Sequence, residues 1–449
     1  MARGSVYRRC GCSELDPSTG KRKQLGRSCP KLRRANGQWA NHGAWAFTLS
    51  LTLHTGERRQ VSRSGFDTRD EAEKVMDDLR AQAANGIRVD KRITTGDFLT
   101  RWIDSKHDVK ANTAAHYRRY IEKIFIPHLG SVALADLRAH HITAMLQEVN
   151  TSAQNRRTSS TGNATTQRVR AVLRSALSDA VREGYISTNP AALVKMPTAT
   201  RTKALVWTRA REDEWRAEVQ RLINEGSTPS LARRKAKRPS SVMVWRGDHL
   251  GTFLDHVEQH RLYALFYVAA HTGMRRGEVC GLRWADVDMD AGTITIERQL
   301  VNVVGKVQED SPKSSASGRV VAIGKEGVEV LKAHRARTNA DRLAWGPAYS
   351  HTSRVFVRED GTDLDPSWLL KEFQRQAFKS DLPPVRFHDL RHAAASLMLA
   401  SGSSMKVVST VLGHSSTAIT SDVYTSVYDD ASAAAVDAMR TLIPRNQAR

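Results

Sequence analysis

The sequence predicts an α+β chain, mainly α, divided into several domains. Three observations predict it. A length of 449 residues is enough for two to four domains. Alternation of apolar with small or polar residues at Trp45–Leu51 has the period of a half-buried strand. Stripes at helical spacing, such as Val169, Val172, Leu173, Ala176, Leu177 and Ala180, dominate the rest.

Residues 1–88 read as a small basic unit of three strands and a helix. The first 66 residues hold thirteen Arg and Lys against three Asp and Glu. Trp45–Leu51 is one strand, His54-Thr55-Gly56-Glu57 a turn and Arg58–Ser62 the return strand. Asp67 or Thr68 caps a helix running to about Ala84, with acids in its first turn.

Residues 93–197 read as a helical domain. Thr95 caps a helix carrying Phe98, Leu99, Trp102 and Ile103. Asn112 or Thr113 caps a second, and Pro127 and Gly130 punctuate the chain. A third helix follows Arg138, and the long striped helix ends at Gly184 and Asn189-Pro190. Residues 198–240 are polar and read as a linker or insertion. Its basic run, Ala232–Arg238, is either a solvated surface or a DNA contact. Residues 241–449 form the last domain, mostly helical, with strands near Gly292–Leu300 and Arg319–Ile323. Ala433–Ala435, Val436, Met439, Leu442 and Ile443 form an amphipathic helix that can pack in cis on its own domain.

A formal charge of +22 points to a polyanionic partner. Nucleic acid is favoured over a membrane, because the longest apolar runs, such as Leu262–Ala270, fall far short of the ~20 residues that span a bilayer. Met1–Cys12 has no apolar core like that of a secretory signal, so a reduced, cytoplasmic setting is expected. No phosphate-binding GxxxxGK[ST] loop, HExxH pair or GxSxG elbow occurs, which argues against ATP-driven, zinc-protease and serine-hydrolase chemistry.

The last domain instead holds a dispersed set of basic residues: Thr272-Gly273-Met274-Arg275-Arg276-Gly277-Glu278, then Pro312-Lys313-Ser314-Ser315 between two strands, then His388-Asp389-Leu390-Arg391-His392, Leu412-Gly413-His414 and Tyr424. Each alone has a structural explanation, as a helix cap, a surface pair or a core aromatic. In this order they resemble the tyrosine recombinases, the phage-integrase family, over roughly residues 241–430. The segment ending Ala176–Tyr185 and Asn189-Pro190-Ala191 looks like that family's core-binding domain, and the basic N-terminal sheet resembles its arm-type DNA-binding domain.

The resemblance implies a site-specific DNA recombinase. Tyr424 would be the nucleophile, forming a 3′-phosphotyrosyl bond and releasing a 5′-hydroxyl. Arg275 and Arg391 would hold the scissile phosphate, His388 would act as base, His414 would bind the phosphate or assist, Lys313 would protonate the leaving oxygen, and Glu278 would orient Arg275 or cap its turn. Tyr428 is a rival nucleophile, but its spacing from His414 lies outside the family's usual gap.

Elementary chemistry agrees. A phosphodiester under attack gathers negative charge on its non-bridging oxygens, and two permanently charged guanidiniums can donate paired hydrogen bonds to them. A phenol has a pKa of about 10 and needs a base or a cationic site to react near neutrality. Conserved bond energy implies no ATP and no cofactor for the chemistry. The family also implies duplex attachment sites, a homotetramer on DNA and an excisionase-like directionality factor, and the arm domain favours integration of a prophage or integrative plasmid. Type IB topoisomerase activity and an inactive DNA-binding regulator are the alternatives.

Two further features concern the N-terminal unit. Arg58, Arg59 and Arg63 can track phosphates or read a groove. Cys10, Cys12, Cys29 and His42 are either a Cys₃His zinc site or reduced, unliganded side chains. Cys280 reads as a core residue.

Overall fold

The computed structural model describes residues 4–16, 20–52, 58–84, 93–155, 162–196, 203–311 and 318–413. The chain divides into two units, Met1–Ala199 and Thr200–Arg449.

The first unit opens with a four-stranded sheet rather than three strands. β1 (Gly4–Leu15), β2 (Arg22–Gly26), β3 (Ala44–Thr52) and β4 (Arg58–Phe66) lie in the order β2-β1-β3-β4, with antiparallel neighbours. β1 escapes a hydrophobicity reading because Arg8, Arg9 and the Cys10-Gly11-Cys12 run interrupt its pattern. Helix α1 (Arg69–Ala84) covers one face, where Trp45, Phe47 and Leu49 pack against Ala72, Met76 and Leu79.

The helical part of this unit has its own core. α2 (Thr95–Asp104) is capped by Thr94, one residue before the expected Thr95, through a hydrogen bond from the Asp97 amide. α3 (Ala111–Tyr120) starts after Lys110, without the side-chain cap expected of Asn112 or Thr113. Pro127 does not break the chain there: a π-helical turn, Ile121–Phe125, runs on from α3 into α4 (Ile126–Leu129), with the Ile126 N–H reaching back to the Ile121 carbonyl, and the widened turn accommodates a proline that has no N–H to give. α5 (Ala139–Asn155) and α6 (Gly162–Arg182) complete the set. The stripe Val169, Leu173, Ala176, Leu177 and Ala180 is buried against Phe98, Leu99, Trp102, Ile121 and Phe125. Buried Asp179 accepts from the Trp102 indole at 2.6 Å and pairs with Lys106 at 3.2 Å.

The second unit begins inside the stretch read as a linker or insertion, 198–240. From residue 203 the chain is folded: β5 (Ala204–Val206), α7 (Arg209–Asn224), α8 (Pro229–Lys235) and β6 (Val242–Val244), with β5 and β6 paired in parallel. Trp207 and Trp215 are buried in the same core as Trp245, Phe253 and Phe266. In the basic run, Arg233 lies over the Trp215 and Phe378 rings and pairs with Asp381 at 2.8 Å. Two large aromatics and a stapling arginine make this stretch part of the domain.

The core then passes through α9 (Gly247–His256), the almost wholly buried α10 (Tyr263–Thr272) and α11 (Arg276–Gly281). Cys280 is buried as expected, which pushes its thiol up to about 12. Two small sheets follow. β7 (Val287–Asp288), β8 (Thr293–Ile296) and β11 (Arg319–Ala322) form one in the order β11-β8-β7. β9 (Gln299–Val303) and β10 (Lys306–Asp310) form the other. α12 (Gly324–Trp345), α13 (Pro366–Lys379), α14 (Asp389–Ala400) and α15 (Met405–Leu412) close the described part. Among the described residues, no helix is long and apolar enough to cross a membrane. The expected tail helix at 433–443 lies outside the described residues.

Candidate active site

Arg275 sits at the N-cap of α11, between that helix and the buried α10. Gly277 is needed behind it: a Cβ there would stand 2.7 Å from the Leu300 carbonyl oxygen, so only glycine lets α11 lie this close to β9. Glu278 faces back along the turn. Its carboxylate accepts the Arg275 backbone N–H at 2.8 Å and pairs with the Arg275 guanidinium at 2.7 Å. About a third of the Arg275 side chain stays open to solvent.

Arg391, on the first turn of α14, is buried. Its guanidinium donates to the Gly273 carbonyl at 2.8 Å and to the Leu412 carbonyl. Arg275 donates to the next carbonyl, Gly413, at 3.0 Å. The two arginines, 116 residues apart in sequence, thus meet at the C-terminal end of α15.

A third guanidinium, which the sequence reading missed, joins them. Arg319 opens β11 and donates to the Val411 carbonyl at 2.7 Å and to both oxygens of Glu278, at 3.2 and 2.9 Å. Three successive carbonyls, Val411, Leu412 and Gly413, are each taken by a different arginine. Helix carbonyls at a C-terminus lack intrahelical partners and carry partial negative charge, so cations are favoured there. Burial raises the Glu278 pKa, but Arg319 and then Arg275 outweigh it, and the carboxyl is held below its usual range. The available signal for Arg319 was an arginine beginning an otherwise apolar strand just after Lys313.

His388 stands at the N-cap of α14, its ring edge-on to His392 with centroids 5.3 Å apart. Although the residue keeps exposed surface, desolvation lowers its pKa, and the Arg391, Arg386 and Arg275 cations lower it further. His392 is pushed down to about 4, chiefly by desolvation. Both imidazoles are therefore held neutral at pH 7, and a neutral ring nitrogen can accept a proton. Lys313, His414, Tyr424 and Tyr428 lie outside the described residues. On either side of Lys313 the described residues end just past Asp310, which closes β10, and resume just before Arg319, which opens β11.

In the first unit, Arg63 is exposed on β4 opposite Phe47, whose side chain faces α1. Arg58 and Arg59 begin the same strand, paired with Thr52 and Leu51, and their side chains lie outside the described set. The other sheet face holds a basic feature absent from the sequence reading. The Arg27 guanidinium lies 3.2 Å from the Tyr7 ring centroid and donates to Thr48 Oγ1 at 2.9 Å, and Thr48 is hydrogen-bonded to Tyr7 and Ser62. The side chains of Cys10, Cys12, Cys29 and His42 come together, with potential ligand atoms all within 4.8 Å of one another.

The chain is similar to known proteins along most of its length. The pattern of the phage integrase family matches residues 245–431, that of the phage integrase central domain 96–196, and that of the arm DNA-binding domain 40–83. A tyrosine recombinase XerC-like protein of Caldanaerobacter subterraneus subsp. tengcongensis is 26% identical over 425 residues, covering 90% of this chain and 98% of that protein. The putative prophage phiRv2 integrase of Mycobacterium tuberculosis is 24% identical over 412 residues, covering 88% and 91%. Among solved structures, the Tn1549 transposon integrase in complex with circular intermediate DNA superposes with a TM-score of 0.53 at 16% identity, over 76% of this chain and 99% of that one, a likeness of fold. With its three successive family segments and its paired arginines, the chain belongs to the phage-integrase family of tyrosine recombinases, and it is a site-specific recombinase.

Proposed function

We propose that the protein integrates or excises a mobile element, a prophage or integrative plasmid, cutting each strand with Tyr424. The observation that carries this is the meeting of Arg275 and Arg391 on the adjoining Gly413 and Leu412 carbonyls, immediately before His414. Held on these carbonyls, the two guanidiniums offer an arriving phosphate cations already fixed in place. The phenolic oxygen of Tyr424 attacks phosphorus, its proton passes to neutral His388, and the 3′-phosphotyrosyl bond forms. Lys313 gives a proton to the departing 5′-oxygen, and His414 donates a hydrogen bond to the phosphate. Glu278 keeps Arg275 oriented. A 5′-hydroxyl from the partner duplex reverses the step, with no net loss of bond energy and so no ATP.

In this reading, residues 1–88 hold arm-type DNA, with Arg58, Arg59 and Arg63 among the contacts, residues 93–197 hold the core site, and the folded unit from residue 203 performs the chemistry. The partners are duplex attachment sites, four copies of the chain assembled on DNA and an excisionase-like factor that sets direction, all within the cytoplasm. The complex of the Tn1549 integrase with circular intermediate DNA supports DNA as the partner. Strand exchange requires no cofactor; a zinc ion at Cys10, Cys12, Cys29 and His42 would serve the fold of the first unit alone.

A duplex nicked beside the cleavage point tests this reading. The covalent protein–DNA adduct should accumulate, and joining between two such sites should follow. No adduct would leave an inactive regulator, and an adduct with relaxation but no exchange would leave a topoisomerase.

A further inference from the structure

The segment between β2 and β3, residues 27–43, buries few side chains of its own, although Trp39 packs edge-on to Trp45 with ring centroids 5.6 Å apart. Its only helical turn is Pro30–Leu32, and the small cluster beneath it is Cys10, Cys29 and Leu32, bordered by Cys12, Leu25 and Trp39. One buried leucine and two thiols are a poor core, and segments this short are commonly stapled by a metal or a disulfide. The segment nevertheless arrives in a specific place. Gly43, with φ +73°, lies so close to β1 that a Cβ would stand 2.3 Å from the Arg9 carbonyl oxygen. That approach delivers His42 to the two cysteines of β1, while Cys29 enters from the end of the β2 turn.

The spacing is that of a tetrahedral ion. Around zinc, with bonds of about 2.3 Å to sulfur and about 2.05 Å to nitrogen, neighbouring S and N ligands lie roughly 3.6 Å apart. His42 Nε2 lies 3.3 Å from Cys12 Sγ and 3.6 Å from Cys29 Sγ. Cys10 and Cys12, two apart on a strand, point to the same side, so a CxC pair can supply two ligands where a helical turn would need CxxC. A thiol is a weak hydrogen-bonding group, and three thiols around one imidazole gain little without an ion.

We infer that Cys10, Cys12, Cys29 and His42 bind one structural zinc ion, which fastens residues 27–43 to the sheet and keeps Arg27 seated on Tyr7. Arg27 lies two residues before Cys29, so the ion holds the backbone from which its guanidinium reaches Tyr7 and Thr48. The site takes no part in strand cleavage, and the inference does not depend on the assignment of Tyr424.

The test uses the full chain purified without chelators. It should carry about one zinc per molecule. Cobalt exchanged for the zinc should show the intense visible bands of a tetrahedral thiolate site. His42→Cys should keep the metal and shift those bands, whereas Cys29→Ser should lose it. Stripping the zinc should speed amide exchange in residues 4–15 and 22–48 by at least about tenfold and leave residues 245–413 unchanged. Zinc-free protein from metal-replete cells, a Cys–Cys disulfide in its place, or a stripped chain whose exchange is unaltered would each overturn the inference.

Discussion

Arg319 grips both carboxylate oxygens of Glu278, and both side chains are almost wholly removed from water. The same carboxylate orders Arg275, and the same guanidinium holds the Val411 carbonyl. β11, which opens just past Lys313, is thereby tied to the arginine turn and to the end of α15.

Removing one partner of a buried pair leaves the other charge unmatched. Arg319→Met should destabilise the second unit by about 3 kcal/mol in denaturant unfolding. Paired with Glu278→Gln, the effects should fall short of additive by more than about 1 kcal/mol. The pair's contribution is present above the usual glutamate pKa of 4.5 and is lost as pH falls through the lowered value in the folded state. Additive losses would mean the two side chains act separately.

Tyr424→Phe removes the oxygen that would attack phosphorus. No covalent adduct should form on a nicked duplex, while DNA binding in a gel-shift assay is retained. Tyr428→Phe should form adduct at close to the parental rate. An adduct from Tyr424→Phe would move the nucleophile elsewhere.

The proposed base should respond to acid late. Desolvation and neighbouring arginines hold His388 below its ordinary 6.5, so adduct formation should fall on acidification with an inflection below pH 6.5. His388→Asn should react slowly and lose that inflection. An unchanged profile in the variant would assign the titration to another group.

His334 is buried in the core of the second unit and donates from Nε2 to the Val355 carbonyl at 2.8 Å. Burial pushes its pKa down to about 4. The unfolded chain takes up its proton near 6.5, so stability should decline from about pH 6.5 towards 4, by about 3 kcal/mol if this group alone is counted. His334→Gln keeps a donor and cannot titrate; its unfolding free energy should be flatter over that interval.

Residues 203–240 belong to the second unit. Trp215→Ala should cost about 3–5 kcal/mol, the usual range for deleting a buried large aromatic. A fragment of residues 203–449 should unfold cooperatively, and one of 241–449 should bind hydrophobic dyes and melt without a transition. Equal behaviour of the two fragments would return the stretch to a linker.

Much of the molecule was legible in advance because its signals are local or ordered along the chain. Helical stripes marked α2, α5 and α6, since apolar side chains recur with the helix period whatever they pack against. The residues of the arginine, HxxR and LGH motifs appear in a fixed order, which identified the family. The misread parts depend on contacts between distant segments. β1 is basic and cysteine-broken, and becomes a strand by pairing with β2 and β3. The 203–240 stretch looks polar because its few anchoring residues, Trp207, Trp215 and Arg233, are diluted among surface charges.

The sequence by itself determined the family and the class of reaction, because residue type and order carry chemistry. Tertiary structure decided which charges act together. A guanidinium's effect depends on distance and on exclusion of water, and only folding brings Arg275, Arg319 and Arg391 to three successive carbonyls of one helix end.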